Sequence, residues 1–159
     1  MTFVRSVFLA VVLNFSSGSV ATAQDSDKGY AAAQAGDFVT ALEEWRPLAE
    51  QGDSASQFNL AELYKNGLGV PQDRDQALIW YSLSAEQGNP LAMYQLGVYF
   101  AGKSDYSTAS MWLTIAAGSG LEEAIYLEGR VDTVLTLEQQ LVAANRALAC
   151  IDASYQNCN

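Results

Sequence analysis

Residues 73–102 read DRDQALIWYSLSAEQGNPLAMYQLGVYFAG, two short helical segments that meet at Gly88. Within them Ala77, Tyr81, Ala85, Gly88 and Leu96 occupy offsets that recur upstream as Ala41, Trp45, Ala49, Gly52 and Leu60, a constant shift of 36 residues. The two closing glycines, Gly67 and Gly102, depart from that shift by one residue. Downstream, Ala109, Leu113, Ala117 and Gly120 repeat the first part of the pattern after 32 residues, the shortening falling mainly in the connection before Ala109. A period in the thirties built from two helices is the mark of an α-solenoid, in which each pair hides its apolar face against its neighbours. The expected fold is therefore all-α, a right-handed α-solenoid of helix-turn-helix repeats.

The flanks can be read from this unit outward. Residues 1–23 resemble an export signal: Arg5 precedes an apolar run at 7–13, and Ala21-Thr22-Ala23 offers small residues for cleavage before Gln24. That run is too short to span a bilayer. Residues 24–36 are read as an N-terminal half-repeat or cap, with 24–27 frayed and Gly36-Asp37 breaking the chain before the next helix. Repeat 1 occupies 37–72, with Asp37 as helix cap, a buried stripe of Ala41, Trp45, Leu48 and Ala49, and a bend at Pro47. Repeat 2 occupies 73–104, opened by an Asp73/Gln76 capping box and restarted after Gly88 by Asn89-Pro90. Repeat 3, at 105–132, is degenerate: Glu128-Gly129 replaces Leu-Gly, and Asp132 falls where Tyr64 stood. Residues 133–159 form a capping helix and a cysteine-containing tail. Thr136 and Gln139 start that helix, Leu137, Leu141, Ala144 and Leu148 are expected to face the core, and Gln140, Asn145 and Arg146 the solvent.

Beside this reading stands a resemblance. NGLGVPQDRDQA followed by ALIWYSLSAEQGNPLAMYQLGVYFAG resembles the Sel1-like repeat, whose signature contains WY, AAEQG, A-x-x-x-LG and G-x-GV-x-x-D. It covers about 37–129, with Ser84 where the family favours Ala and Ala61 where it favours Gly. The resemblance implies a scaffold or adaptor whose first helices, here 38–50, 74–87 and 106–118, line a concave face that binds protein or peptide. Trp80 and Trp112 stand one residue before the core positions Tyr81 and Leu113, with Glu44 as the third member. One residue turns a side chain about 100° around a helix, enough to bring it from core toward groove. Glu44, Trp80 and Trp112 are thus the candidate partner-binding residues.

The composition narrows the function further. With 8 basic and 18 acidic residues the chain carries a net charge of -10, and loss of a leader containing Arg5 and no acid would make it -11. Such a chain repels phosphate backbones, which speaks against nucleic acid and favours a neutral or basic protein or peptide partner. There is no histidine, which removes the Ser-His-Asp triad, the Cys-His pair and every His-ligated metal site. Asp25-Ser26-Asp27 imitates the start of a calcium loop but lacks its later ligands. Glu44, Glu50 and Glu86 could divide acid and base roles across a groove, yet Glu50 and Glu86 are equivalent repeat positions. We therefore expect no catalytic residue, cofactor or metal, and an exported, periplasmic or secreted monomer without a membrane span in its mature part. Recognition of cell-wall peptide or glycan, or a structural place in an envelope complex, are the alternatives. Cys150 and Cys158, the only cysteines, are expected to pair in an oxidising compartment, which requires the last helix to end near 151–154 and the tail to fold back through Tyr155.

Overall fold

The computed structural model describes residues 21–156 and 158, with side-chain surroundings from 27 onward. Its elements are eight helices, α1 (Ala21–Gln34), α2 (Phe38–Glu50), α3 (Ser54–Asn66), α4 (Arg74–Ala85), α5 (Pro90–Gly102), α6 (Tyr106–Gly118), α7 (Glu122–Asp132) and α8 (Leu137–Asp152), with no strand among the described residues. The leader reading falls outside the described residues except at Ala21–Ala23, where α1 begins. Residues 24–27 belong to α1 rather than forming a frayed lead-in.

The helix starts follow from local chemistry. Asp37, Asp53, Asp73, Asn89, Asp105 and Thr136 each accept hydrogen bonds from first-turn N–H groups that the helix itself leaves unpaired. The reciprocal capping box forms at Thr136 and Gln139, whereas at Asp73 the carboxylate caps alone. Gly52, Gly67, Gly88 and Gly120 follow helix ends at positive φ. After α5 that part is played by Ser104, at φ 63°, instead of Gly102, which stays helical. Helix α2 runs unbroken through Pro47.

Adjacent helices pack in sequence, α3 closely on α4 and α5 closely on α6. Ala41, Ala77 and Ala109, which hold the same repeat position on α2, α4 and α6, are all buried. Around the first pair, Trp45 packs with Ala41 and Leu63, edge-on to Tyr30 at 5.3 Å, and over Gly29, where a Cβ would overlap the indole. A larger core runs from Ala61 through α4, α5 and α6 to α8.

Two departures from the repeat pattern have physical reasons. Ser84 is fully buried because it bridges to the preceding repeat, its hydroxyl donating to the Ser54 carbonyl at 2.8 Å. Glu128 and Asp132, which replace apolar residues on α7, accept from Thr114 at 2.6 Å and Ser110 at 2.9 Å on α6. The third pair thus substitutes polar bridges for apolar contact.

Helix α8 departs from the expected orientation. Its buried stripe is Ala143, Ala147 and Cys150, while Leu137, Leu141 and Leu148 face outward and Gln140 and Arg146 turn inward. Gln140 donates to the Asp132 carbonyl and Arg146 to the Thr108 hydroxyl, so α8 lies against α6. Beyond it, Ser154 and Tyr155 take positive φ and turn the tail back, Cys150 and Cys158 are bridged with Cα atoms 5.0 Å apart, and Gln156 donates to the Glu86 carbonyl.

The end of the array can be tested at one repeated glycine. Gly97 and Gly129 occupy the same repeat position. A Cβ at Gly97 would lie 2.6 Å from Leu113 Cγ, whereas one at Gly129 would meet nothing within 4 Å. Gly97→Ala is expected to cost about 1–3 kcal/mol by overpacking. Gly129→Ala should stabilise by up to about 1 kcal/mol through helix propensity. Urea midpoints of the two variants moving the same way would refute this account.

Candidate functional site

The three sequence-derived residues lie on successive first helices, but they are not equally accessible. Glu44 on α2 and Trp80 on α4 are half-buried. Trp112 on α6 is only 2% exposed and belongs to the core that includes Ala143, Ala147 and Cys150. The expectation that Trp112 lines an open groove is therefore corrected. Thr108, which receives Arg146, is one turn before Trp112, so α8 covers that side of α6. Solvent reaches α2 and α4 instead, where Val39 on α2 and Ile79 and Leu83 on α4 are exposed apolar residues.

A separate cavity of about 510 Å³ opens between α4 and α5, with Lys65, Arg74, Asp75, Tyr81, Tyr99 and Lys103 among its lining residues. Three cations meet there in a chain with only eight. Their charge is partly answered: Lys65 pairs with Glu62 at 2.7 Å, and Asp75 lies in the same wall. The Lys103 ammonium sits 5.7 Å from the Tyr99 ring centre. Tyr81 donates to Glu62, and burial, reinforced by that bond and the adjacent carboxylate, pushes its phenol well above the ordinary range. Tyr81 is therefore a neutral donor fixed in the wall. Sequence reasoning missed this cavity because Lys65 on α3, Arg74 on α4 and Lys103 just after α5 come together only when the helix ends pack.

No group of three metal-ligating side chains occurs among the described residues. No helix among them is long and apolar enough to cross a membrane.

The Sel1 repeat model matches residues 54–89 and 90–121. The chain carries Sel1 repeats. That frame counts from the second helix of each pair, joining α3 to α4 and α5 to α6, the same neighbours that pack closely here. A putative sel1-like repeat-containing protein, L21, of Acanthamoeba polyphaga mimivirus is 32% identical over 123 residues, 74% of this Sel1-repeat chain but 22% of that protein. Chitin synthase regulatory factor 4 of Schizosaccharomyces pombe is 31% identical over 78 residues, 48% of this chain and 12% of the factor. The chain thus spans under a quarter of either relative's length.

Among solved structures, c5321, a protective antigen of uropathogenic Escherichia coli displaying an SLR fold, superposes with a TM-score of 0.77 at 27% identity. The match covers 86% of this chain and 31% of c5321. A Sel1 repeat protein from Oxalobacter formigenes matches with a TM-score of 0.65 at 24% identity, covering 84% of this chain and 63% of the other. The α-solenoid expected from the 36-residue shift is the fold of these structures. A Sel1-repeat array of this kind is in general a non-catalytic scaffold for protein interaction.

Proposed function

We propose that this protein is an exported, non-enzymatic module that holds a neutral or basic protein or peptide partner on the concave face of the repeats, against the solvent-facing sides of the first helices α2 and α4. The observation that carries the reading is the combination of Trp80 with exposed Ile79 and Leu83 on a rigid, buried-backed helix. A half-buried aromatic beside solvent-facing aliphatics is the composition of an interaction hot spot. Glu44 adds an acidic group on the preceding first helix, and the negative charge of the whole chain steers a basic partner toward it. Export is supported by the leader-like segment and by the bridged cysteines, which suit an oxidising compartment.

The test is affinity purification from the native compartment, comparing the wild-type protein with Ile79→Asp and Trp80→Ala. Ile79 is 51% exposed, so its replacement leaves the fold intact and should reduce the co-eluting partner at least tenfold, with circular dichroism unchanged. Retention of the same partner by folded Ile79→Asp would place the interface elsewhere. Intact mass from the same preparation should correspond to a chain beginning at Gln24.

A further inference from the structure

The outward face of α8 is apolar and open to solvent. Leu137, Leu141 and Leu148 are 83%, 62% and 61% exposed, and Val134, Val142 and Ile151 beside them are also exposed. Leu137, Leu141, Leu148 and Ile151 share one side of the helix and form an apolar strip on the order of a few hundred Å², the size at which such patches often mark interaction sites. We infer that this face is a self-association surface, on which α8 of a second copy packs antiparallel across a two-fold axis.

The spacing supports that occupant. Leu137, Leu141, Ala144, Leu148 and Ile151 follow one another at intervals of 4, 3, 4 and 3 residues, the seam of a two-helix coiled coil. Antiparallel pairing about a point between Val142 and Ala143 sets Leu137 against Leu148 of the second copy and Leu141 against its Ala144. Each large residue at the centre then meets a small one, so the helices can approach closely. Charge permits the same register. Glu138 falls beside Ala147 of the other copy, and no two carboxylates of α8 oppose one another.

The size of the contact sets the affinity. A 16-residue helix is about 24 Å long. Pairing two such faces removes on the order of 1,000 Å² in total, the lower end for a specific interface. Together with the net charge of -10 on each copy, that places dissociation on the order of 10 µM rather than nanomolar. Because the two copies repel over distances that salt screens, raising ionic strength should favour the dimer.

Analytical ultracentrifugation of the protein recovered after expression of the full chain tests this. At about 100 µM the wild type is expected to be mostly dimeric, and more so in 0.5 M salt. Leu141→Glu and Ala144→Lys should each weaken association at least tenfold while keeping the wild-type circular dichroism, since Leu141 is exposed and Ala144 is only half-buried at the edge of that strip. Mixed together, the two variants should recover a heterodimer, because the new Glu and Lys meet in the stated register. A wild type monomeric at 100 µM would overturn the inference, as would undiminished dimer in Leu141→Glu. Failure of the mixture to associate would overturn the antiparallel register.

Discussion

Trp112→Ala is expected to lower the free energy of unfolding by about 3–5 kcal/mol, the cost of removing a buried indole and leaving its cavity. The indole is enclosed in the α4–α6 and α8 core, so this substitution acts on stability rather than directly on a binding surface. The array's stability is shared along neighbouring helices, and α6 contacts α5, α7 and α8, so the loss falls where three neighbours meet. Urea denaturation should show a midpoint far below wild type, in contrast to Ile79→Asp, which leaves it nearly unchanged. A midpoint within the error of wild type would mean that α8 does not cover this side of α6. The indole N–H has no hydrogen-bond partner, so Trp112→Phe, which keeps most of the volume and removes the unpaired donor, should be much milder.

Gly69→Ala is expected to cost about 2–5 kcal/mol, from two causes that add. Gly69 holds φ at 69°, a conformation that costs a side-chain-bearing residue about 1–2 kcal/mol. A Cβ there would also lie 2.5 Å from the Phe38 carbonyl oxygen and 2.6 Å from its carbon. Those are backbone atoms in the first turn of α2, which cannot swing aside as a flexible side chain can. Either the 67–73 connection lifts, pulling Leu68 and Val70 from the Trp45 cluster, or α2 shifts at its start. Gly36→Ala supplies the control: it shares a positive φ but has nothing within 4 Å, so it should cost only the conformational part. Equal melting shifts for the two variants would remove the close approach from the explanation.

Most of the architecture was legible because its causes are local or periodic. The shift of 36 residues, the Asp and Asn caps and the glycines after helix ends each depend on a few neighbouring residues, and each reappears in the structure. The tail reversal was readable too, since eight residues of straight helix would hold Cys150 and Cys158 too far apart to bridge. The candidate site was legible in part. The one-residue offset from the core positions leaves Trp80 half-buried beside buried Tyr81, but at Trp112 it gives no exposure, because the covering helix α8 comes later in the chain and belongs to no repeat.

Helix α8 shows where reading by pattern stops. Apolar periodicity marks Leu137, Leu141, Ala144 and Leu148 as one face, but it records only that the face is apolar, and an apolar face may be buried within the chain or left for something outside it. Packing selected a neighbouring stripe, Ala143, Ala147 and Cys150, because small side chains let α8 come close to α6 while the leucines would hold it away. By itself, then, the sequence determined the repeated hairpins, their caps and turns, and the absence of histidine chemistry, since these are set by residue type and short-range spacing. Only the tertiary structure decided which side of the last helix turns inward, that Trp112 is shut away while Trp80 is not, and where three cations meet around a cavity. Those outcomes depend on how surfaces distant along the chain fit together, and no window of residues contains that information.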